Sequence, residues 1–289
     1  MAPWSGDLHH LRSRHVDDEF VVEVKRPHGY DRSSASYPLL LTLDAHWLYG
    51  TVSDLATSLS MGRAIPRVLV AGVGWPTEDL AEIDRYRNRD TTPTAAPFPE
   101  ALSGARSSRK GLGGAEPFRR FVIDELLPYL EENYRVARPR ILVGHSLTGL
   151  FGVDLLLREP EVFDGYLLAS PSLWWDDRVT LRSIEPELAP QRTPYPAQVY
   201  LSAGSEEGPA TEGPPFNMIG NVGELARRLG SYPELDVHFE VLDGENHHST
   251  LGRSVSRGLR HLLTPVPVPS VATAGLRGGV AGGTSGSPA

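Results

Sequence analysis

Three short segments of the chain set reactive side chains just beyond the ends of apolar runs. In the first, Ile141-Leu142-Val143-Gly144-His145-Ser146-Leu147-Thr148-Gly149-Leu150-Phe151, an apolar run turns through a serine into a helical pattern. A serine on such a strained turn has its hydroxyl lifted above the sheet, and the amide of the next residue, Leu147, points into the same space as an oxyanion donor. Gly144 is small, as close passage of strand and helix requires. Thr148 is not, so the pattern G-x-S-x-G fails at its last position and glycine arrives one residue late, at Gly149. The second segment, Gly204-Ser205-Glu206-Glu207, follows the run Gln198–Ala203; the third, Gly244-Glu245-Asn246-His247-His248-Ser249, follows Asp236–Leu242. A serine hydroxyl is a poor nucleophile until a base takes its proton, and the base must be oriented by a carboxylate. His247 and His248 are candidate bases. Glu206, Glu207, Asp176, Asp177 and Asp243 are candidate acids, Asp243 being too close to His247 in sequence and better read as a turn residue. Taken singly, the serine reads equally as a helix cap and the histidine pair as solvated loop; three groups at three strand ends argue for a nucleophile, an acid and a base.

The elements that must position them alternate. Phe20–Lys25, Tyr37–Asp44, Arg67–Ala71, Ile141–Val143, Gly165–Ala169, Gln198–Ala203 and Asp236–Leu242 are predicted as strands. Helices are expected at Thr51–Met61, Glu116–Tyr134, Thr148–Arg158, Met218–Gly230 and Ser249–Leu263. In Glu116–Tyr134, Pro128 should kink the helix or start a short second one. Apolar strands separated by helices predict an α/β fold with a mainly parallel sheet covered on both faces, its ligand site at the carboxyl ends of the strands. Serine, acid and histidine in that order is the chain order of α/β-hydrolases.

The 289 residues carry 36 acidic against 28 basic side chains, and a formal charge of −8 argues against nucleic acid as a partner. With 40% hydrophobic and 22% charged residues a packed core is expected. There is no cysteine, which removes disulfides, thiolate metal sites and cysteine nucleophiles. No secretory signal or membrane-length apolar run is visible, so a cytoplasmic protein is expected. Three regions are predicted: an N-terminal extension (1–19), one catalytic domain (20–263), and a flexible Pro/Gly/Ala-rich tail (264–289). The stretch Gly74–Ala115 reads as an irregular loop bearing Arg87, Arg89, Arg109 and Lys110, either solvated charge or a lid whose cations attract an anionic substrate.

Several blocks resemble the α/β-hydrolase esterases that include trilactone siderophore esterases. They are YPLLLTLDAHW, GGAEPFRRFVIDELLPYLEENYRV followed by GHSLTGLF, SPSLWW at Ser170–Trp175, and GENHHS. The resemblance covers most of residues 20–263 and implies an α/β-hydrolase fold and carboxylic-ester hydrolysis without metal or cofactor. Carried over by position, it implies Ser146 as nucleophile, His247 as base and Glu207, fourth residue of a Gly-x-x-Glu pattern, as acid. It also implies Ala45 as a second oxyanion amide, at a position where glycine is usual. Trp174 and Trp175 border the pocket in that family; adjacent aromatics in an extended segment face opposite ways, so one is expected to pack and the other to meet substrate, with Arg109 a further contact. The expected substrate is a small-molecule ester, a siderophore lactone being one candidate. Alternatives are an acyltransferase on the same scaffold and a catalytically silent binding module, the latter favoured if Ser146 were unable to reach His247.

Overall fold

Leu39 and Leu41 face one side of a central sheet and Leu40 the other. The same alternation sends Leu142, Leu168 and Leu201 one way and Ile141, Val143, Leu167 and Tyr200 the other. A sheet apolar on both faces must be covered on both faces. Our computed structural model describes residues 6–99, 111–184, 196–209 and 216–263.

The strands are β1 Asp7–Arg12, β2 Glu19–Lys25, β3 Tyr37–Thr42, β4 Leu69–Gly74, β5 Val136–His145, β6 Gly165–Ala169, β7 Ala197–Gly204 and β8 Leu235–Leu242. They form one sheet in the order β1-β2-β4-β3-β5-β6-β7-β8. The β1–β2 and β2–β4 pairs are antiparallel and all the others parallel, so β3 to β8 point their carboxyl ends the same way. Helices α1 (Ala45–Met61) and α8 (Thr250–Leu262) cover one face, packing Leu48, Val52, Val255 and Leu259 onto it. On the other face lie α2 (Leu80–Thr91), α3 (Ala115–Arg120), α4 (Leu127–Asn133), α5 (Leu147–Arg158), α6 (Trp175–Arg182) and α7 (Met218–Leu229).

Three differences from the sequence reading are instructive. The helix expected over Glu116–Tyr134 passes through a π-type turn at Phe121–Leu126, and α4 then starts one residue before Pro128, whose missing N–H is harmless in a first turn. Within the segment read as an N-terminal extension, β1 extends the sheet past β2. It is an edge strand, DLHHLR, that alternates half-buried and exposed residues with one leucine on each face, and so lacks an apolar signature. The stretch read as an irregular loop contains α2, capped by Asp79, whose side chain accepts the N–H groups of Ala81 and Glu82. Its inward face is Ile83 together with Arg87, Asn88, Asp90 and Thr91, a polar set that hides the helical period. Arg109, Lys110 and the tail 264–289 lie outside the described residues. Among the described residues no helix is long and apolar enough to cross a membrane.

Candidate active site

The end of β5 turns into α5 at Ser146, whose φ of 60° and ψ of −118° put a non-glycine residue in a sparsely populated conformation. A Cβ at Gly144 would come within 2.5 Å of the Thr148 carbonyl, which is why this turn tolerates only glycine there. Past the end of β7, Glu207 is fully buried, and past β8 His247 is partly exposed. Their two loops are laced together: Ser205 N–H donates to the Leu242 carbonyl, Glu206 N–H to the Glu245 carbonyl, and Gly244 N–H to Ser205 Oγ. The lacing needs Gly204, because a Cβ there would lie 2.2 Å from the Glu245 carbonyl oxygen. Asn246 folds the histidine segment by accepting the N–H groups of His248 and Ser249 on Oδ1, an Asx turn that enters α8.

These loops bring together groups far apart in sequence. His247 Nδ1 lies 2.6 Å from Glu207 Oε1, and His247 Nε2 lies 3.0 Å from Ser146 Oγ. The second Glu207 oxygen accepts Ser170 Oγ–H and the Gly204 N–H, each at 2.6 Å. Burial alone raises the Glu207 pKa, but the hydrogen bonds from His247, Ser170 and Gly204 outweigh it, and its carboxyl is held below the usual range. A carboxylate only accepts, so His247 carries a proton on Nδ1; in the neutral imidazole Nε2 is then the acceptor that faces the serine, the tautomer a general base needs. Ser146 Oγ is also 3.2 Å from Ser172 Oγ.

Of the other sequence candidates, Glu206 and Asp243 are exposed, and Asp176 and Asp177 begin α6 rather than joining His247. Leu147 and Ala45 are the first residues of α5 and α1, where backbone N–H groups have no intrahelical acceptor. Trp174 lines the cavity above Ser146 and meets Phe216 edge-on, with centroids 5.2 Å apart. Trp175, the other aromatic considered for the pocket, is more deeply buried and donates its indole N–H to Thr94 Oγ1; the pair sits at the start of α6 rather than in the extended segment expected. Arg87 and Arg89, read as loop cations, are tied down: Arg87 is buried against Asp44, and Arg89 pairs with Asp18 and Asp90. The sequence reading passed over Asp44, His145, Ser170 and Ser172. The signal available for the serines was their place, a Ser-Pro-Ser directly after the apolar run of β6.

The cavity holds about 800 Å³ and is lined by Ser146, His145, His247, Trp47, Trp174 and Phe216 among others. Among the described residues no group of three or more His, Asp or Glu side chains is arranged to hold a metal ion.

A mostly parallel sheet with a serine on the turn after its central strand β5 and helices on both faces defines an α/β-hydrolase. The family described as "Putative esterase" matches residues 13–250. The Ferri-bacillibactin esterase BesA of Bacillus subtilis is 31% identical over 265 residues, covering 88% of each chain. The Siderophore triacetylfusarinine C esterase of Aspergillus fumigatus is 24% identical over 270 residues, covering 84% of this chain and 88% of its own. Among solved structures, the BES protein from Bacillus cereus superposes with a TM-score of 0.74 at 25% identity, covering 90% of this chain and 95% of that one. The chain belongs to the esterase family and is a carboxylic-ester hydrolase.

Proposed function

We propose that the chain cleaves a siderophore ester through an acyl-enzyme on Ser146, with His247 as the base and Glu207 as the carboxylate that orients it. The observation that carries this reading is the run of hydrogen bonds from Glu207 through His247 to Ser146, at 2.6 and 3.0 Å. Ser146 Oγ attacks the ester carbonyl as its proton passes to His247 Nε2, and Glu207 stabilises the imidazolium that forms. The N–H groups of Leu147 and Ala45 receive the oxyanion, aided by the positive ends of α5 and α1. His247 then protonates the leaving alcohol, and water, activated by the same imidazole, releases the acid. The substrate class is supported by the relatives, whose names describe esterases of siderophores. It is also supported by a cavity roomy enough for a bulky ester and walled by Trp47, Trp174 and Phe216.

The test is turnover of apo and ferric siderophore lactones and of short acyl esters by the purified protein and by Ser146→Ala. Activity is expected on a lactone, lost by at least about 10⁴-fold in the variant, with a phosphonate probe labelling Ser146 alone. Labelling elsewhere overturns the nucleophile; turnover of short esters but of no siderophore overturns the substrate. Free acid, rather than a new ester, as the product in the presence of an added alcohol separates hydrolysis from acyl transfer.

A further inference from the structure

Thr148, the residue that breaks G-x-S-x-G, is fully buried, and its hydroxyl sits where three elements meet. Oγ1 accepts the His145 N–H at 2.9 Å and faces two acceptors, the His145 carbonyl at 2.8 Å and Asp44 Oδ2 at 3.0 Å. A hydroxyl has one hydrogen to give, and a carboxylate draws it more strongly than a carbonyl. From the other side Arg87 Nε donates to both Asp44 oxygens, at 2.8 and 2.9 Å, and its Nη2 donates to the His145 carbonyl at 3.2 Å. Asp44 thus ties the end of β3 to the turn that carries the nucleophile, and to α2.

The conformation of Asp44 shows that this tie displaces an ordinary role. Asp44 stands immediately before α1, where an aspartate commonly caps the helix with its own carboxylate. It has φ 55° and ψ 48° and makes no side-chain capping bond. Its carboxylate is committed to Thr148 and Arg87, and no side chain of its own blocks the first amides of α1.

We infer that Thr148 is a positioning residue for ester hydrolysis: by bridging Asp44 and the backbone of His145, its hydroxyl fixes the start of α1 against the start of α5. This rests on the reading above, in which the first amides of those helices, at Ala45 and Leu147, receive the oxyanion. A donor misplaced by a fraction of its hydrogen-bond length loses most of its effect, since such groups act by being fixed in advance. Glycine at position 148 satisfies the close approach of strand and helix but supplies no tie. Threonine supplies the tie, its backbone still passing Gly144 and its side chain turned to Asp44. Arg87 adds to the arrangement by neutralising a carboxylate that shares a cavity with Ser146 and would otherwise oppose the developing negative charge.

The experiment compares kcat and KM for p-nitrophenyl butyrate in the wild type, Thr148→Val, Thr148→Ser, Asp44→Asn and Ser146→Ala, with thermal unfolding of each. Valine replaces the hydroxyl by a methyl at similar volume, while serine keeps the hydroxyl. Thr148→Val is expected to lose about 10- to 100-fold in kcat with KM within about twofold, and Thr148→Ser to stay within about threefold of the wild type. Asp44→Asn, which keeps the shape but removes the charge that holds the tie, should likewise lower kcat rather than raise KM; it decides the matter if the valine variant does not fold. An unchanged kcat in a folded Thr148→Val or, where that variant does not fold, in Asp44→Asn, with Ser146→Ala inactive, overturns the positioning role and leaves the nucleophile standing. Thr148→Ser falling as far as Thr148→Val also overturns it, because methyl packing then accounts for the loss. Activity retained in Ser146→Ala removes the reading of the site and the inference together.

Discussion

The buried imidazole of His145 donates from Nε2 to the backbone carbonyl of His247, 2.7 Å away, and the two rings stand 4.7 Å apart. His247, the proposed base, is therefore held twice, its ring by Glu207 and its main chain by His145, the residue preceding Ser146. A carbonyl only accepts, so His145 carries its proton on Nε2. Burial first, and the proximity of His247 second, keep its pKa well below the ordinary histidine value. A neutral His145 leaves room for the one positive charge that the proposed mechanism places on His247.

That neutrality makes stability depend on pH. The folded pKa of His145 is depressed, whereas in the unfolded chain it titrates near 6.5, so below about pH 6.5 the unfolded state binds the extra proton. Stability is complete above about pH 6.5 and falls as the pH drops toward the folded pKa, by about 1.4 kcal/mol per unit for this group. Denaturant unfolding of wild type and His145→Gln between pH 7.5 and 5 should give a flatter profile for the variant. Equal slopes would show that His145 is not the group responsible.

Glu207 and Glu206 should separate cleanly. Glu207→Gln puts an amide where an acceptor-only group faced His247 Nδ1, which permits the wrong tautomer, and kcat should fall by on the order of 10³-fold or more. Glu206 is exposed, and Glu206→Gln should change kcat by less than about threefold. Glu207 also has a depressed folded pKa, so its contribution to stability is present above about pH 4.3 and is lost as the pH falls through the folded value. Comparable kcat losses in the two variants would reassign the acid.

Gly204 offers a test that leaves every reacting group in place. Its added Cβ in Gly204→Ala would meet backbone, the Glu245 carbonyl at 2.2 Å and Asn246 N at 3.2 Å, so the histidine segment must shift. A cost of about 1–3 kcal/mol in stability is expected. Activity should fall more than stability does, because His247 lies one residue beyond the displaced peptide. Retained kcat at a lowered melting temperature would mean the loop shifts without moving the imidazole.

What the sequence made legible and what it hid have different physical origins. Strands β3, β6, β7 and the second half of β5, from Ile141, are buried on both faces, and such strands announce themselves as apolar runs. The candidate site was legible because glutamate and histidine follow strand ends directly, as the serine does. By contrast α2 buries Arg87 and Asp90, whose side-chain partners Asp44 and Trp75 lie 43 and 15 residues back in the sequence. No local period encodes such pairs. Thr148 registered only as a departure from a motif, because its partner Asp44 lies 104 residues away.

Arg87 supplies the last prediction, which reverses the one its loop-like sequence context suggests. Were it a solvated loop cation attracting an anionic lactone, replacing it would raise KM for that substrate and spare small neutral esters. The structure has it buried, with Nε on the Asp44 carboxylate and Nη2 on the His145 carbonyl. Removing one partner of a buried pair strands the other charge, at about 3–5 kcal/mol. Arg87→Met should therefore lower the melting temperature by several degrees, and should reduce kcat for a neutral acyl ester and for an anionic siderophore lactone by the same factor. Raising the salt concentration should not reproduce the effect, since a pair this deep is screened far less than surface charges are. A KM increase confined to the anionic substrate, with the melting temperature unchanged, would return Arg87 to substrate binding and leave the Asp44 carboxylate to be held by Thr148 alone.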